Sequence, residues 1–105
     1  MDLQVFVAAH KPYQFPDDPA YLPVQVGRAL SEADLGITGD DTGDNISGRN
    51  QTYCELTGLY WAWRNTSHEA YGLAHYRRYF AGQAGIASGD ELASWLDQAD
   101  VVVPN

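Results

Sequence analysis

The sequence predicts an α/β fold with a mostly parallel sheet and flanking helices. Two observations carry this prediction. Short β-branched or aromatic runs recur at residues 3–9, 71–76 and 101–103. Segments with helical spacing and helix-start residues separate the second run from the first and the third from the second. The resulting order of strand, loop, helix, strand, helix, strand is that of α/β layers.

Leu3–Ala9 reads as a buried strand, ended by His10-Lys11-Pro12-Tyr13. Residues 11–23 contain Pro12, Pro16, Pro19 and Pro23, which predicts an extended loop. Residues 24–30 fit a strand and a short helix equally well. Residues 36–50, GITGDDTGDNISGRN, hold four glycines and predict a loop long enough to carry function. A helix follows, with Asn50 as N-cap or Thr52 and Glu55 as an alternative capping box. Tyr53, Leu56, Tyr60 and Trp63 form its expected buried stripe. Residues 71–76 predict a second core strand. Ser88 and Glu91 form a capping box that opens a helix of about ten residues burying Leu92, Trp95 and Leu96. The run DVVVPN predicts a third buried strand, cut by Pro104. The chain ends just after that strand, and residues 1–105 read as one incomplete domain.

Composition removes several function classes. The formal net charge is −8, with 6 Lys and Arg against 14 Asp and Glu. A nucleic-acid binder needs a broad basic surface, and docking on anionic lipid needs a polybasic patch. Cys54 is the single cysteine, so neither an internal disulfide nor a cysteine-cluster zinc site exists. The expected setting is reducing and cytoplasmic. Cys54 itself, mid-helix among apolar residues, is expected to pack in the core.

Familiar site motifs fail on inspection. An EF-hand loop from Asp40 would need an acidic or Asn side chain at Thr42, Gly at Asn45 and Glu at Gln51. GDNISGRN nearly fits a phosphate loop, but Arg49 replaces its lysine and Asn50 its hydroxyl. No G-x-G-x-x-G, G-x-S-x-G or H-E-x-x-H pattern is present.

What stands out is GLAHYRRYF. Two adjacent arginines follow a core strand in a strongly acidic chain. Either they pair with Asp40, Asp41 and Asp44, or one of them serves a ligand. In extended chain two neighbours point to opposite faces. Ligands on α/β sheets bind beyond the carboxyl ends of strands, which is where HKPY and HYRRYF lie.

In that order, HKPY, PVQVGRAL, DDTGDNIS, YCELTGLYWAWRN and GLAHYRRYF resemble the N-terminal part of a bacterial glycosyltransferase-like family. That family serves capsular polysaccharide, exopolysaccharide and O-antigen biosynthesis and includes galactofuranosyltransferase-type domains. The resemblance covers almost the whole chain. It implies a partial GT-A-like fold that binds a nucleotide diphosphate sugar, a UDP-sugar first, for transfer to a glycan or lipid-linked acceptor. It also implies a missing C-terminal half, supplied by the rest of the domain or a second chain, and a place in the cytoplasm or at the inner face of the membrane.

Chemistry then assigns the expected substrate contacts. His10, Lys11 and Tyr13 follow the first strand, with Lys11 for phosphate and Tyr13 for stacking on a base. Asp40 or Asp41 would accept ribose hydroxyls, with Asn45 beside them in the loop. Arg49 and Asn50 would meet an anion at a helix start. His75, Arg77 and Arg78 would hold the diphosphate. Many GT-A enzymes place a metal-binding Asp-x-Asp at such a strand end. Arginine neutralises phosphate directly, so no metal cofactor is expected. The alternatives are a non-catalytic nucleotide- or glycan-binding fragment that packs on a partner, and a hydrolase or metal-binding domain.

Overall fold

The computed structural model describes residues 2–83 and 85–102. Its centre is a sheet of four parallel strands: β1 (Leu3–Ala9), β2 (Tyr21–Gln25), β3 (Thr38–Gly39) and β4 (Ala70–His75), in the order β3-β2-β1-β4. β1 is central, and its side chains alternate between two covered faces. Val5, Val7 and Ala9 join Tyr21, Ala74, Tyr76, Ala87 and Leu92 on one face. Phe6 joins Val24, Trp61 and Ala62 on the other. Covering both faces is why β1 is a continuous apolar run from Val5 to Ala9.

The α/β class and the parallel pairing follow the sequence prediction, but several elements differ. Residues 11–23 are not all loop, because β2 begins at Tyr21 and contains Pro23 opposite Val7. The proline fits for a local reason. Gln25 accepts from Asp40 N–H of the third-strand segment, so residues of that parity face β3. β3 pairs only with Val24 and Gln25, so the N–H that Pro23 lacks has no ladder partner to lose. Residues 28–30 form a 3-10 turn, which resolves the ambiguity of residues 24–30. The segment 36–50 holds β3 and a second 3-10 turn at Ser47–Arg49.

The helix after Asn50 is two pieces, α1 (Asn50–Tyr53) and α2 (Leu56–Asn65). Cys54 between them has φ 52°, a conformation few non-glycine residues adopt. The expected caps are absent: neither piece has a side-chain N-cap bond. The break also rephases the apolar stripe. α2 buries Thr57, Gly58, Trp61 and Ala62. Gly58 lies so close to the sheet that an added Cβ would come within 2.7 Å of Val26 Cγ1. Tyr53, Leu56 and Trp63, expected in the core, are 42%, 50% and 60% exposed. Cys54 is exposed too, not packed in the core.

β5 (Ala81–Gly82) and β6 (Gly85–Ile86) form a small antiparallel pair ahead of α3 (Gly89–Leu96). The Ser88–Glu91 capping box is formed on both sides, as the sequence predicts. Leu92 is buried, while Trp95 and Leu96 are half-buried. The Tyr21 hydroxyl donates to Ala87 O at 2.6 Å, tying β2 to the entry of α3. Burial, with Asp18 nearby, pushes its pKa up to about 12. The predicted third strand is not formed where it is described: Val101 and Val102 are irregular, and Val101 is exposed. Residues 103–105 of that run lie outside the described residues.

Candidate functional site

The chain runs from β1 to β2 and β3 on one side, then crosses to β4 on the other side of β1. The crevice between the carboxyl ends of β1 and β4 is therefore the topological switch point of the sheet. His10 follows β1 and His75 ends β4, with ring centroids 6.4 Å apart. A cleft of about 300 Å³ opens there, lined by Ala8, His10, Val26, Asn50, Cys54, Glu55 and His75. A recess of about 500 Å³ shares Glu55 and His75 with it and adds Arg77 and Arg78.

The arginines reach one recess because the chain is no longer extended. Arg78 N–H donates to His75 O at 2.8 Å, closing a tight turn at the end of β4. The opposite-faces rule for extended chain therefore does not apply, and both side chains line the same space. Among the described residues neither arginine makes an ion pair. The Arg77 guanidinium lies 5.4 Å from the centre of the Tyr76 ring.

Two of the three aspartates expected as their partners, Asp40 and Asp44, are committed elsewhere. Asp40 is fully buried. One of its oxygens accepts from Arg28 N–H and Ser47 Oγ, the other from Gly27 N–H and Thr57 Oγ1. Its expected role as acceptor of a ribose hydroxyl is thereby corrected: the carboxylate is saturated and sealed from solvent. Asp44 takes Arg64 Nε at 2.7 Å and the Tyr60 hydroxyl at 3.0 Å. Thr42 accepts from Trp61 Nε1 at 2.9 Å. The Gly/Asp loop is a clasp that holds α2 on the sheet.

His75 is the group whose electrostatics the recess alters most visibly. Burial pushes its pKa below the usual histidine value, and Arg77 adds to this, while Glu55 opposes both. Arg77 N–H donates to His75 Nδ1 at 3.3 Å, so the proton of the neutral ring sits on Nε2. His10, Tyr13, His75 and Tyr76 build an aromatic wall. Tyr76 meets Tyr13 and His10 edge-on at 5.3 Å and lies 4.4 Å from His75. Tyr13 is 51% exposed, so its ring is in part accessible to a ligand.

The structure thus brings together His10, Asn50, His75, Arg77 and Arg78, with Tyr13 adjoining. It does not bring in Lys11, Asp41 or Arg49, which are exposed and do not line the cleft or the recess, nor buried Asp40. Asn45 is occupied inside its own loop, donating to Gly43 O and accepting from Ser47 N–H. Asn50 Nδ2 donates to Cys54 O and Thr57 Oγ1, so its amide holds the break between α1 and α2. Glu55 and Cys54 line the cleft but are absent from the sequence-based set. The break that aims them carries no glycine or proline to mark it. Among the described residues, no group of three or more His, Cys, Asp or Glu side chains is arranged to hold a metal ion. No described helix is long and apolar enough to cross a membrane.

Comparison with known proteins agrees with this architecture. No curated protein matches the chain. Among solved structures, the apo structure of the WbbM bifunctional glycosyltransferase is similar, with 41% identity and a TM-score of 0.74. The match covers 77% of this chain and 14% of that one. The chain therefore has the α/β fold of part of a glycosyltransferase. A family model described as a domain of unknown function, DUF4422, matches residues 4–105, and the chain belongs to that family.

Proposed function

We propose that this chain supplies the nucleotide-sugar site of a glycosyltransferase acting in bacterial surface-polysaccharide assembly, O-antigen or capsule among them. One observation carries the reading. Two arginines without ion pairs among the described residues turn into a single recess at the switch point of a parallel sheet. Guanidinium forks match diphosphate oxygens in geometry and charge. The exposed Tyr13 ring beside Tyr76 offers a platform for the base. The likeness to a bifunctional glycosyltransferase supports the same class of chemistry.

In such a transfer an acceptor hydroxyl displaces the diphosphate at the anomeric carbon. Negative charge then builds on the leaving group. Arg77, Arg78 and the Nε2–H of His75 are placed to stabilise it, the role a metal ion plays at many comparable strand ends. The donor is a UDP-sugar and the acceptor a glycan or a lipid-linked glycan, reached from the cytoplasmic side of the membrane. The rest of the domain, or a second chain, contributes the acceptor side.

Titration calorimetry with UDP and UDP-hexoses, with and without EDTA, tests the binding claim. The expected result is micromolar to millimolar binding that EDTA leaves unchanged. Absence of binding to every UDP-sugar would remove the reading. Binding restored to EDTA-treated protein by Mn²⁺ would remove its metal-free form. Turnover with an acceptor glycan separates a transferase from a binding module.

A further inference from the structure

We infer that Glu55 sets the charge of the donor that this recess accepts: a nucleoside diphosphate carrying a neutral sugar, against one carrying an acidic sugar. This rests on the nucleotide-sugar reading above and adds the substrate class to it.

Glu55 lies in the wall common to the β1/β4 cleft and the arginine recess, and it is the only carboxylate lining either among the described residues. Its position follows from the backbone. The positive φ of Cys54 interrupts the helix, and Glu55, the N-cap of α2, lies at the cleft. Among the described residues its carboxylate makes no hydrogen bond or ion pair, although Arg77 and Arg78 line the same recess. Its negative field is felt at His75, where it acts against burial and Arg77.

The charge balance then selects the ligand. Two guanidinium groups match a diphosphate ester, which carries two negative charges. The group attached beyond it meets Glu55. A sugar hydroxyl donates to that carboxylate in a charge-assisted hydrogen bond. A carboxylate on the sugar is repelled. Like charges about 4 Å apart in water cost roughly fivefold in affinity.

The experiment compares UDP-glucose with UDP-glucuronate on the wild-type chain, Glu55→Gln and Glu55→Lys by calorimetry, with a melting curve for each variant. The wild type should bind UDP-glucose roughly fivefold more tightly. Glu55→Gln should bring the two donors within about twofold, mainly by gaining affinity for UDP-glucuronate, and Glu55→Lys should reverse the preference. Equal affinities in the wild type, or a preference unchanged by either folded variant, would overturn the Glu55 inference and leave the nucleotide-sugar site standing. A wild-type chain that binds neither donor would overturn both.

Discussion

Two charged clusters sit at the carboxyl edge of the same sheet, and they are built in opposite ways. Around Asp40 a buried carboxylate meets four donors, two from the backbone and two from hydroxyls, with none left over. At the end of β4, Arg77 and Arg78 face an open recess, and neither forms an ion pair among the described residues. A charge closed off within the protein supports the fold. A charge held at the surface without a partner remains available to a ligand. By this criterion Asp40 and Asp44 belong to architecture, and the proposed function assigns the arginines to recognition.

The largest expected effect is on the closed cluster. Asp40→Ala leaves two backbone N–H groups and two hydroxyls without their acceptor, which should cost about 3–5 kcal/mol, given the penalty for each buried unsatisfied group. In a domain of this size a melting scan should show the midpoint falling by roughly 10 °C or more. A fall of only a degree or two would mean that water replaces the carboxylate easily and that the contrast between the clusters is weaker than drawn.

A smaller effect is expected from His75. Its pKa in the folded protein lies below the ordinary 6.5, through burial first and Arg77 second. Between the two values the unfolded chain binds more protons, so stability is lost as pH falls below 6.5 toward the folded value and is unaffected above it. A bound diphosphate should do the reverse, favouring the imidazolium. Nucleotide affinity should therefore rise from pH 7.5 to pH 6, with proton uptake visible in buffers of different ionisation enthalpy. A pH-independent affinity would separate His75 from the ligand.

The smallest effect is expected at Tyr79, whose hydroxyl is buried without a partner among the described residues. Burial, together with nearby Tyr13, raises its pKa. Tyr79→Phe removes an unsatisfied polar group and should leave the melting midpoint unchanged or slightly higher. A clear loss of stability would show that this hydroxyl is satisfied in solution and belongs with the closed class.

How far the sequence reveals this arrangement depends on the kind of signal each part leaves. β1 is legible because its stretch covered on both faces, Val5 to Ala9, is apolar throughout, and α3 because Ser88 and Glu91 spell out its cap. β3 is not, since two residues carry no periodicity. Nor is the strand around Pro23, where the proline is tolerated only because β3 stops short. The buried face of α2 is misread because the 3-4-3 stripe from Tyr53 to Trp63 assumes one continuous helix. Cys54 breaks it and turns Thr57, Gly58, Trp61 and Ala62 inward.

The site divides along the same line. The cationic end of β4 is visible as a charge anomaly in an acidic chain. The family resemblance, carried by ordered motifs, points to a fold that the WbbM match supports. In the sequence, Asp40 in its glycine-rich loop and Arg77 after a strand are both charged residues with no partner in view. Only burial and partners, which arise from residues distant in the chain, tell clamp from recess. Glu55 is hidden for the reason that misleads the helix stripe: nothing local announces the turn that places it.

The central claim is that Arg77 and Arg78 are kept for a diphosphate. It is tested most directly by titrating UDP against the wild-type chain and the double variant Arg77→Ala/Arg78→Ala, with a melting curve for each. Charge-assisted bonds of about 1.5–3 kcal/mol each predict at least a hundredfold loss of affinity from the pair. Removing surface charges that have no ion pair among the described residues should leave the melting midpoint within a few degrees. Unchanged UDP affinity together with a marked drop in melting temperature would make the arginines structural and contradict the account.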